Sequence, residues 1–330
     1  MDKVQLGKSD LQISPIVFGA WAIGGMAWGG TDDDDALEAM QHSLDLGITT
    51  IDTAPVYGLG HSEKVVGQFV KEVGRDKVEI LTKFGFNWKT TKGEFMFEGA
   101  QPGGPTEKVH FYAGKDGIIQ EVEDSLRLLN TDYIDLYQIH RPDANIPIEE
   151  TMEAVEELIQ QGKVRAVGVS NHAVDLMVRA EKVVPIASSQ SPYSMVYRKI
   201  EKDIIPHCIE NDIGILAYSP LQRGLLTGKI TSDYQFKEDD HRPTTRFFKE
   251  PNRSRTNEFL QKIKPIADDH NASLSQLVIN WTLQRPGITA ALVGARNQDQ
   301  ATQNAKSLDF QLSDDERELI NTELEKVVIE

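Results

Sequence analysis

The sequence predicts an α/β protein of the (β/α)8 type, the TIM-barrel architecture, with an N-terminal β-hairpin and extra C-terminal helices. Three observations predict it. From about residue 32 onward, short β-branched runs alternate with longer amphipathic ones, which marks βα units on a parallel sheet. Eight such strand runs occur, the number a closed barrel needs. No glycine-rich nucleotide fingerprint follows the first strand, as a doubly wound sheet would more often show. The 330 residues fit one such barrel, so residues 1–330 are expected to form a single domain.

The elements follow in order. "VQLGKSDLQIS" reads as a hairpin around a polar turn, suited to plugging the bottom of the barrel. The strand runs are "SPIVFG", "ITTID", "VEILTKF", "YIDLYQI", "VRAVGVS", "PIASSQ", "IGILAYS" and "ITAALVG". Between them "DDDDALEAMQHSLDLG", "SEKVVGQFVKEVG", "KDGIIQEVEDSLRLLN", "PIEETMEAVEELIQQG" and "EKDIIPHCIENDIG" carry apolar residues at helical spacing. Gly47, Gly74 and Gly162 close three of these helices and suit left-handed C-terminal caps. "SLSQLVINW" and "LSDDERELI" each set a Ser three residues before Gln or Glu, a capping-box spacing that adds helices beyond the eight-fold core. Two long stretches, Gly85 to Gly114 and Leu221 to Asn257, read as irregular, and loops of that length are usually functional or disordered.

Acidic residues outnumber basic ones 51 to 35, a formal charge of -16 that repels polyanions. Nucleic acid and anionic membrane surfaces are therefore not the expected partners. Cys208 is the single cysteine, which excludes an internal disulfide and fits a reducing compartment. With neither a signal-peptide core nor a spanning apolar run, the protein is expected to be cytoplasmic, a monomer or weak homo-oligomer. "TDDDD" at 31–35 is a helix start favoured by the macrodipole, not a metal site. "GLGHSE" has Glu63 where a last fingerprint glycine should stand, and "GGMAWGG" has the wrong spacing.

In a barrel of this kind the catalytic groups sit at the carboxyl ends of the strands. There stand Asp52, Lys83, His140, Ser170, Asn171, Gln190, Tyr218 and Arg296, with Tyr57 five residues past Asp52. Each alone has a plain explanation: a turn aspartate, a solvated lysine, a loop histidine, a surface ion pair. Unrelated polar residues should not all collect at one end of the strands.

"FGAW", "IDTAPVYGLGHSEKVVG", "LTKFG", "IDLYQIHRPD", "GKVRAVGVSN", "SQSPYS", "ILAYSPLQRGLLTGK" and "VGARNQDQATQNA" together resemble the aldo-keto reductase family from about residue 4 to residue 320. The nearest likeness is to bacterial members related to potassium-channel β subunits. The resemblance implies NADPH-dependent reduction of a small carbonyl substrate through Asp52, Tyr57, Lys83 and His140. The chemistry agrees. A phenol of pKa about 10 is a poor acid at neutral pH unless its anion is stabilised. Lys83 is expected to depress the pKa of Tyr57, the general acid, with Asp52 holding Lys83 and His140 orienting the carbonyl and sharing the proton load.

For the cofactor, NADPH/NADP, Tyr218 offers a flat face to the nicotinamide, and Ser170, Asn171 and Gln190 offer carboxamide partners. Ser219, Leu221, Gly224 and Gly228 let backbone amides approach the pyrophosphate, with charge from Lys229. Arg296 and Gln300 stand at a helix start as an anion site, with Gln303 and Asn304 toward the adenine. The resemblance extends this set to Gly19, Ala20, Trp21, Pro220, Gln222 and Gly294. Three functions stay open: a soluble NADPH-dependent carbonyl reductase, a cofactor-holding regulatory subunit with little turnover, and an unrelated barrel enzyme such as a phosphate-binding lyase. The intact set of four favours the first over the second. The lack of a separate glycine-rich phosphate loop after the seventh strand disfavours the third. Trp21, Trp88 and the "FNWKTTKGEFMFEGAQPGG" insertion are expected to set specificity.

Overall fold

The computed structural model describes residues 1–25, 32–236 and 240–330. A hairpin of β1 (Val4–Gln5) and β2 (Gln12–Ile13) precedes the barrel strands β3 (Ile16–Gly19), β4 (Thr50–Asp52) and β5 (Glu79–Phe84). Three further strands, β6 (Phe86–Asn87), β7 (Glu94–Ala100) and β8 (Thr106–Phe111), form a separate antiparallel sheet. β9 (Ile134–Ile139), β10 (Val164–Ser170), β11 (Ile186–Pro192), β12 (Gly214–Tyr218) and β13 (Ile288–Val293) complete the barrel. It closes in the order β10-β11-β12-β13-β3-β4-β5-β9, every neighbour parallel. The helices are α1 (Asp33–Asp45), α2 (His61–Val73), α3 (Lys115–Leu129), α4 (Ile148–Gln160), α5 (Val174–Glu181), α6 (Ile204–Glu210), α7 (Asn252–Asp269), α8 (Leu274–Leu283), α9 (Gln298–Ala305) and α10 (Asp314–Leu324).

The period of two along each strand sorts the barrel interior into layers. Low in the barrel Val17, Leu81, Leu136, Ala166, Leu216 and Ala290 pack with Leu6, Leu11 and Ile13 of the hairpin, which closes that mouth as expected. Gly7 makes the seal possible, because a Cβ there would lie 2.5 Å from the Ala187 carbonyl oxygen. Two residues above Leu81 stands Lys83, and two above Leu136 stands Gln138, both fully buried. One pleat therefore separates the apolar plug from a polar layer at the carboxyl ends.

Local chemistry explains the helix ends. Asp32 accepts the amide of Asp34 at 2.9 Å, with Asp33, Asp34 and Asp35 in the first turn of α1, so the acidic run is a helix start. Thr31, and residues 26–30 of "GGMAWGG", lie outside the described residues. Ser273 with Gln276 and Ser313 with Glu316 form complete capping boxes at α8 and α10. Gly47 and Gly162 take positive φ (86° and 73°) after α1 and α4. Gly74 departs from the expected cap, since its φ of 97° and ψ of 135° turn the chain outward without a left-handed helical residue.

Both long stretches are more ordered than their composition implies. Gly85 to Gly114 holds β6, β7 and β8, with β7 and β8 antiparallel on either side of "QPGGP", a turn cluster that disguises a hairpin. In Leu221 to Asn257, of which residues 237–239 lie outside the described residues, the described part holds three short 3-10 turns around Leu225, Ile230 and Phe248 and runs into α7. α5 was not foreseen because its eight residues are too short for a clear helical period. The expected helix over "EKDIIPHCIENDIG" splits into a 3-10 turn at Lys199–Glu201 and α6, whose start is capped by Asp203 donated to by the Ile204 amide at 2.7 Å.

Candidate active site

Lys83 is the centre of the polar layer. Its Nζ donates to Asp52 Oδ1 at 2.6 Å, to the Thr53 carbonyl at 2.9 Å and to the Tyr57 hydroxyl at 3.2 Å. An ammonium has three donors, and here all are used. Asp52, the residue that ends β4, has its other oxygen bound by Gln190 Nε2 at 2.8 Å and Gln138 Nε2 at 3.3 Å. A buried ion pair survives desolvation only when its remaining polar atoms are satisfied, and the two glutamines do this for the carboxylate. Tyr57 sits on the turn after β4, where Gly24 and Gly58 pass backbone against backbone; a Cβ on Gly58 would lie 2.4 Å from the Gly24 carbonyl oxygen, at a φ of +64°. His140 follows β9, its amide donating to Phe84 O at 3.1 Å. Its ring meets Tyr57 edge-on with centroids 5.9 Å apart and packs on Phe86 at 5.0 Å.

The electrostatics correct two expectations. Burial raises the Tyr57 pKa above the usual phenol value; Lys83 pulls it down, but not far enough to offset burial, and Asp52 pushes the same way as burial. The ammonium thus weakens the rise without producing a depressed pKa. Burial, assisted by Lys83, pushes His140 well below the usual histidine value. His140 is therefore a neutral imidazole at neutral pH, able to hydrogen-bond but not to share the proton load. Lys83 stays charged: burial opposes its charge, but Asp52 and Tyr57 outweigh that and raise its pKa.

Around this centre the expected cofactor residues line the carboxyl face. The Tyr218 hydroxyl donates to Asn171 Oδ1 at 2.9 Å, and Asn171 Nδ2 donates to His140 O at 3.1 Å and Ser170 Oγ at 3.0 Å. Asn171 holds this position in left-handed backbone, φ 61°. The Nε2 of Gln190 is spent on Asp52 and Gln138, so its carbonyl oxygen is what remains for a ligand. Gly19 ends β3 beside Gly294 just past β13, with Ala20 buried next to them; a Cβ on Gly294 would lie 3.3 Å from the Gly19 carbonyl oxygen. Trp21 tilts against Tyr57, ring centroids 6.3 Å apart.

After β12, Ser219, Pro220, Leu221 and Gln222 lead into a turn where Ser219, Gln222, Arg223, Gly224 and Gly228 all have positive φ. The Gln222 and Gly224 amides bond back to Ser219 and Leu221 carbonyls at 2.8 Å and 3.0 Å, so those two amides belong to the turn itself. Lys229 is exposed at its end. Arg296 is exposed just before α9, its amide donating to Gln300 Oε1 at 3.0 Å. Asn297 caps α9 by accepting the Gln300 amide at 2.9 Å. Gln303 Oε1 accepts from Ser273 at 3.3 Å, and buried Asn304 donates to Gly294 O at 3.2 Å, bracing the loop that carries Arg296.

Sequence reasoning missed Gln138, Phe86 and Arg223. Gln138 was legible from the pleat, since it alternates with Leu136 in "IDLYQI". Phe86 belongs to the stretch read as irregular, and nothing in the sequence separated Arg223 from its neighbours.

Residues 15–324 match the Aldo/keto reductase family model. The chain is 38% identical to "Aldo-keto reductase YhdN" of Bacillus subtilis (strain 168), over 99% of this chain and 95% of that one. It is 33% identical to "NADH-specific methylglyoxal reductase" of Escherichia coli (strain K12), over 95% of each. Its fold matches the glycerol dehydrogenase AKR11B4 from Gluconobacter oxydans with a TM-score of 0.89 and 36% identity, covering 100% of this chain and 97% of that one. It also matches an aldo/keto reductase from Klebsiella pneumoniae in complex with NADP and acetate, with a TM-score of 0.72 and 27% identity, covering 98% and 95%.

Proposed function

For this chain, which belongs to the aldo/keto reductase family, we propose that Tyr57 is the general acid of an NADPH-dependent carbonyl reduction and that Asp52, Lys83 and His140 prepare it. The protein is an oxidoreductase that reduces aldehydes or ketones to alcohols with NADP(H). When bound, the cofactor supplies the hydride. The observation that carries the role of Tyr57 is the Lys83 ammonium, 3.2 Å from the phenol oxygen and locked there by Asp52 and Thr53.

Burial keeps Tyr57 protonated at neutral pH, as a proton donor must be. As the proton leaves for the carbonyl oxygen, the negative charge grows beside an ammonium that is already oriented, so little reorganisation is needed. Neutral His140, its ring edge-on to Tyr57, hydrogen-bonds the carbonyl oxygen from the other side. Asn171, Ser170 and the Gln190 carbonyl would hold the carboxamide end of the nicotinamide, with the Tyr218 ring as its flat partner. Gly19 and Gly294 leave the strand ends free of side chains and would let the cofactor pass, and Arg296 would meet the phosphate at the adenosine end. We take residues 1–330 as one functional domain acting in the cytoplasm, where the lone Cys208, buried and pushed up to about 12, is inert. Among the described residues no helix is long and apolar enough to cross a membrane.

The test is consumption of NADPH by the purified protein with a panel of aldehydes and ketones. Carbonyl-dependent oxidation supports the reading. Tight cofactor binding with no turnover on any carbonyl would favour a binding subunit instead.

A further inference from the structure

Arg223 is a cation in an unusual setting. It lies half-buried in the turn after β12, in left-handed backbone (φ 54°, ψ 35°) that a side chain other than glycine adopts at some cost. Its guanidinium stands 5.5 Å over the Trp21 indole, and its Nη1 bonds His241 Nε2 at 2.7 Å. Arg242, itself paired with Asp240 at 2.5 Å, donates to the Arg223 carbonyl at 3.2 Å and holds the backbone from behind. Burial works against the charge of Arg223 and the Tyr218 hydroxyl favours it, but among the described residues its partners are the Trp21 ring and the His241 imidazole, with no carboxylate. Of the other arginines of this stretch, Arg242, Arg253 and Arg255 each have one, whereas Arg246 lies over the Tyr197 and Phe247 rings.

A guanidinium withdrawn from water without a counter-charge is costly, and the cost is recovered when an anion docks against it. The ring it stands over borders the reacting centre, since Trp21 tilts on Tyr57; Tyr218, whose hydroxyl favours its charge, is tied to Asn171 and through it to the His140 carbonyl. A protein of charge -16 does not attract anions by its overall field, so a substrate anion needs a local cation of this kind. We infer that Arg223, braced between Trp21 and His241 at the mouth of the site, binds an anionic group, carboxylate or phosphate, on the far end of the carbonyl substrate. Arg223 is then a specificity-determining residue. This rests on the reductase reading above.

Steady-state reduction of 4-formylbenzoate and of its uncharged methyl ester by NADPH, at saturating cofactor, separates the two ideas. Wild type is expected to favour the carboxylate. Arg223→Gln should lower kcat/KM for the carboxylate by roughly tenfold to a hundredfold, through KM, as loss of a charge-assisted contact does. The ester should change less than about twofold, which also shows that the variant is folded, and Arg223→Lys should recover part of the loss. Equal losses on both aldehydes, or an unchanged carboxylate KM with a weakened NADPH dissociation constant, would overturn the assignment and place Arg223 on the cofactor. Reduction of the ester with no preference for the carboxylate would overturn it while leaving the reductase reading intact; reduction of neither aldehyde would strike both.

Discussion

At Tyr57 two opposing forces act on one hydroxyl. Burial favours the neutral phenol and Lys83 favours the anion, so the residue rests protonated beside the charge that will stabilise its conjugate base. His140 contributes no second titration in the working range, because burial first and Lys83 next hold it well below the usual histidine value. A histidine with a lowered pKa is uncharged above that pKa, so carbonyl reduction should show no inflection as pH passes from 8 down through about 6.5, the ordinary histidine value. A pH profile of kcat in wild type and in His140→Asn checks this. The expected result is a lower but equally flat line in the variant, and a step near the ordinary histidine value in wild type would show that His140 carries a proton. Lys83 and His140 were legible because they stand at the carboxyl ends of strands, and Tyr57 through the family-like motif that follows Asp52. Their protonation states were not, because burial depends on the layers packed behind them.

Behind β5 lies an element-level feature with its own pH dependence. Glu63 of α2 accepts from Thr82 Oγ1 at 2.7 Å, and Glu121 of α3 accepts the Gly85 amide at 2.9 Å, where the chain leaves β5 for β6. Burial pushes these carboxyls up to about 7 and about 8. The folded pKa values are raised, so the stability they confer is fully present below the unfolded carboxylate value of about 4.3 and is lost as pH rises through 7 and 8. Urea unfolding at pH 5 and pH 9 should show a decline on the order of a few kcal/mol, and Glu121→Gln, which keeps an acceptor for Gly85, should flatten much of it. No difference between wild type and variant at pH 9 would mean that Glu121 is accommodated as a carboxylate. The sequence marked the burial of neither: Glu63 was noted only as the residue standing where a fingerprint glycine should be, and Glu121 lies in a run with apolar residues at helical spacing. The same limit hid the β7–β8 hairpin: its residues alternate only weakly, and "QPGGP" looks like loop until the strands on either side are seen to pair. The eight barrel strands, by contrast, were legible from β-branched runs, because parallel strands buried on both faces must be apolar almost throughout.

Across the whole molecule, an acidic surface surrounds a site that must hold a polyanionic cofactor, so cofactor choice rests on a few local cations. Arg296 is exposed at the start of α9 with Asn297 as cap, and we propose that it reads the 2′-phosphate that distinguishes NADPH from NADH. Arg296→Ala should weaken NADPH binding by roughly tenfold to a hundredfold and leave NADH nearly unchanged. Fluorescence titration of both cofactors decides it, and equal losses would assign Arg296 another task. The similarity to an NADH-specific reductase makes this comparison informative for the family as a whole. The central claim, that the barrel's polar layer delivers a proton from Tyr57 while a hydride reaches the carbonyl carbon, is tested most directly by mass spectrometry of the alcohol formed from NADPH deuterated at its transferable position. Wild type should place one deuterium on the carbinol carbon, and Tyr57→Phe should form almost none of that alcohol while binding NADPH as tightly. Deuterated product formed by Tyr57→Phe at a rate near wild type would contradict the account.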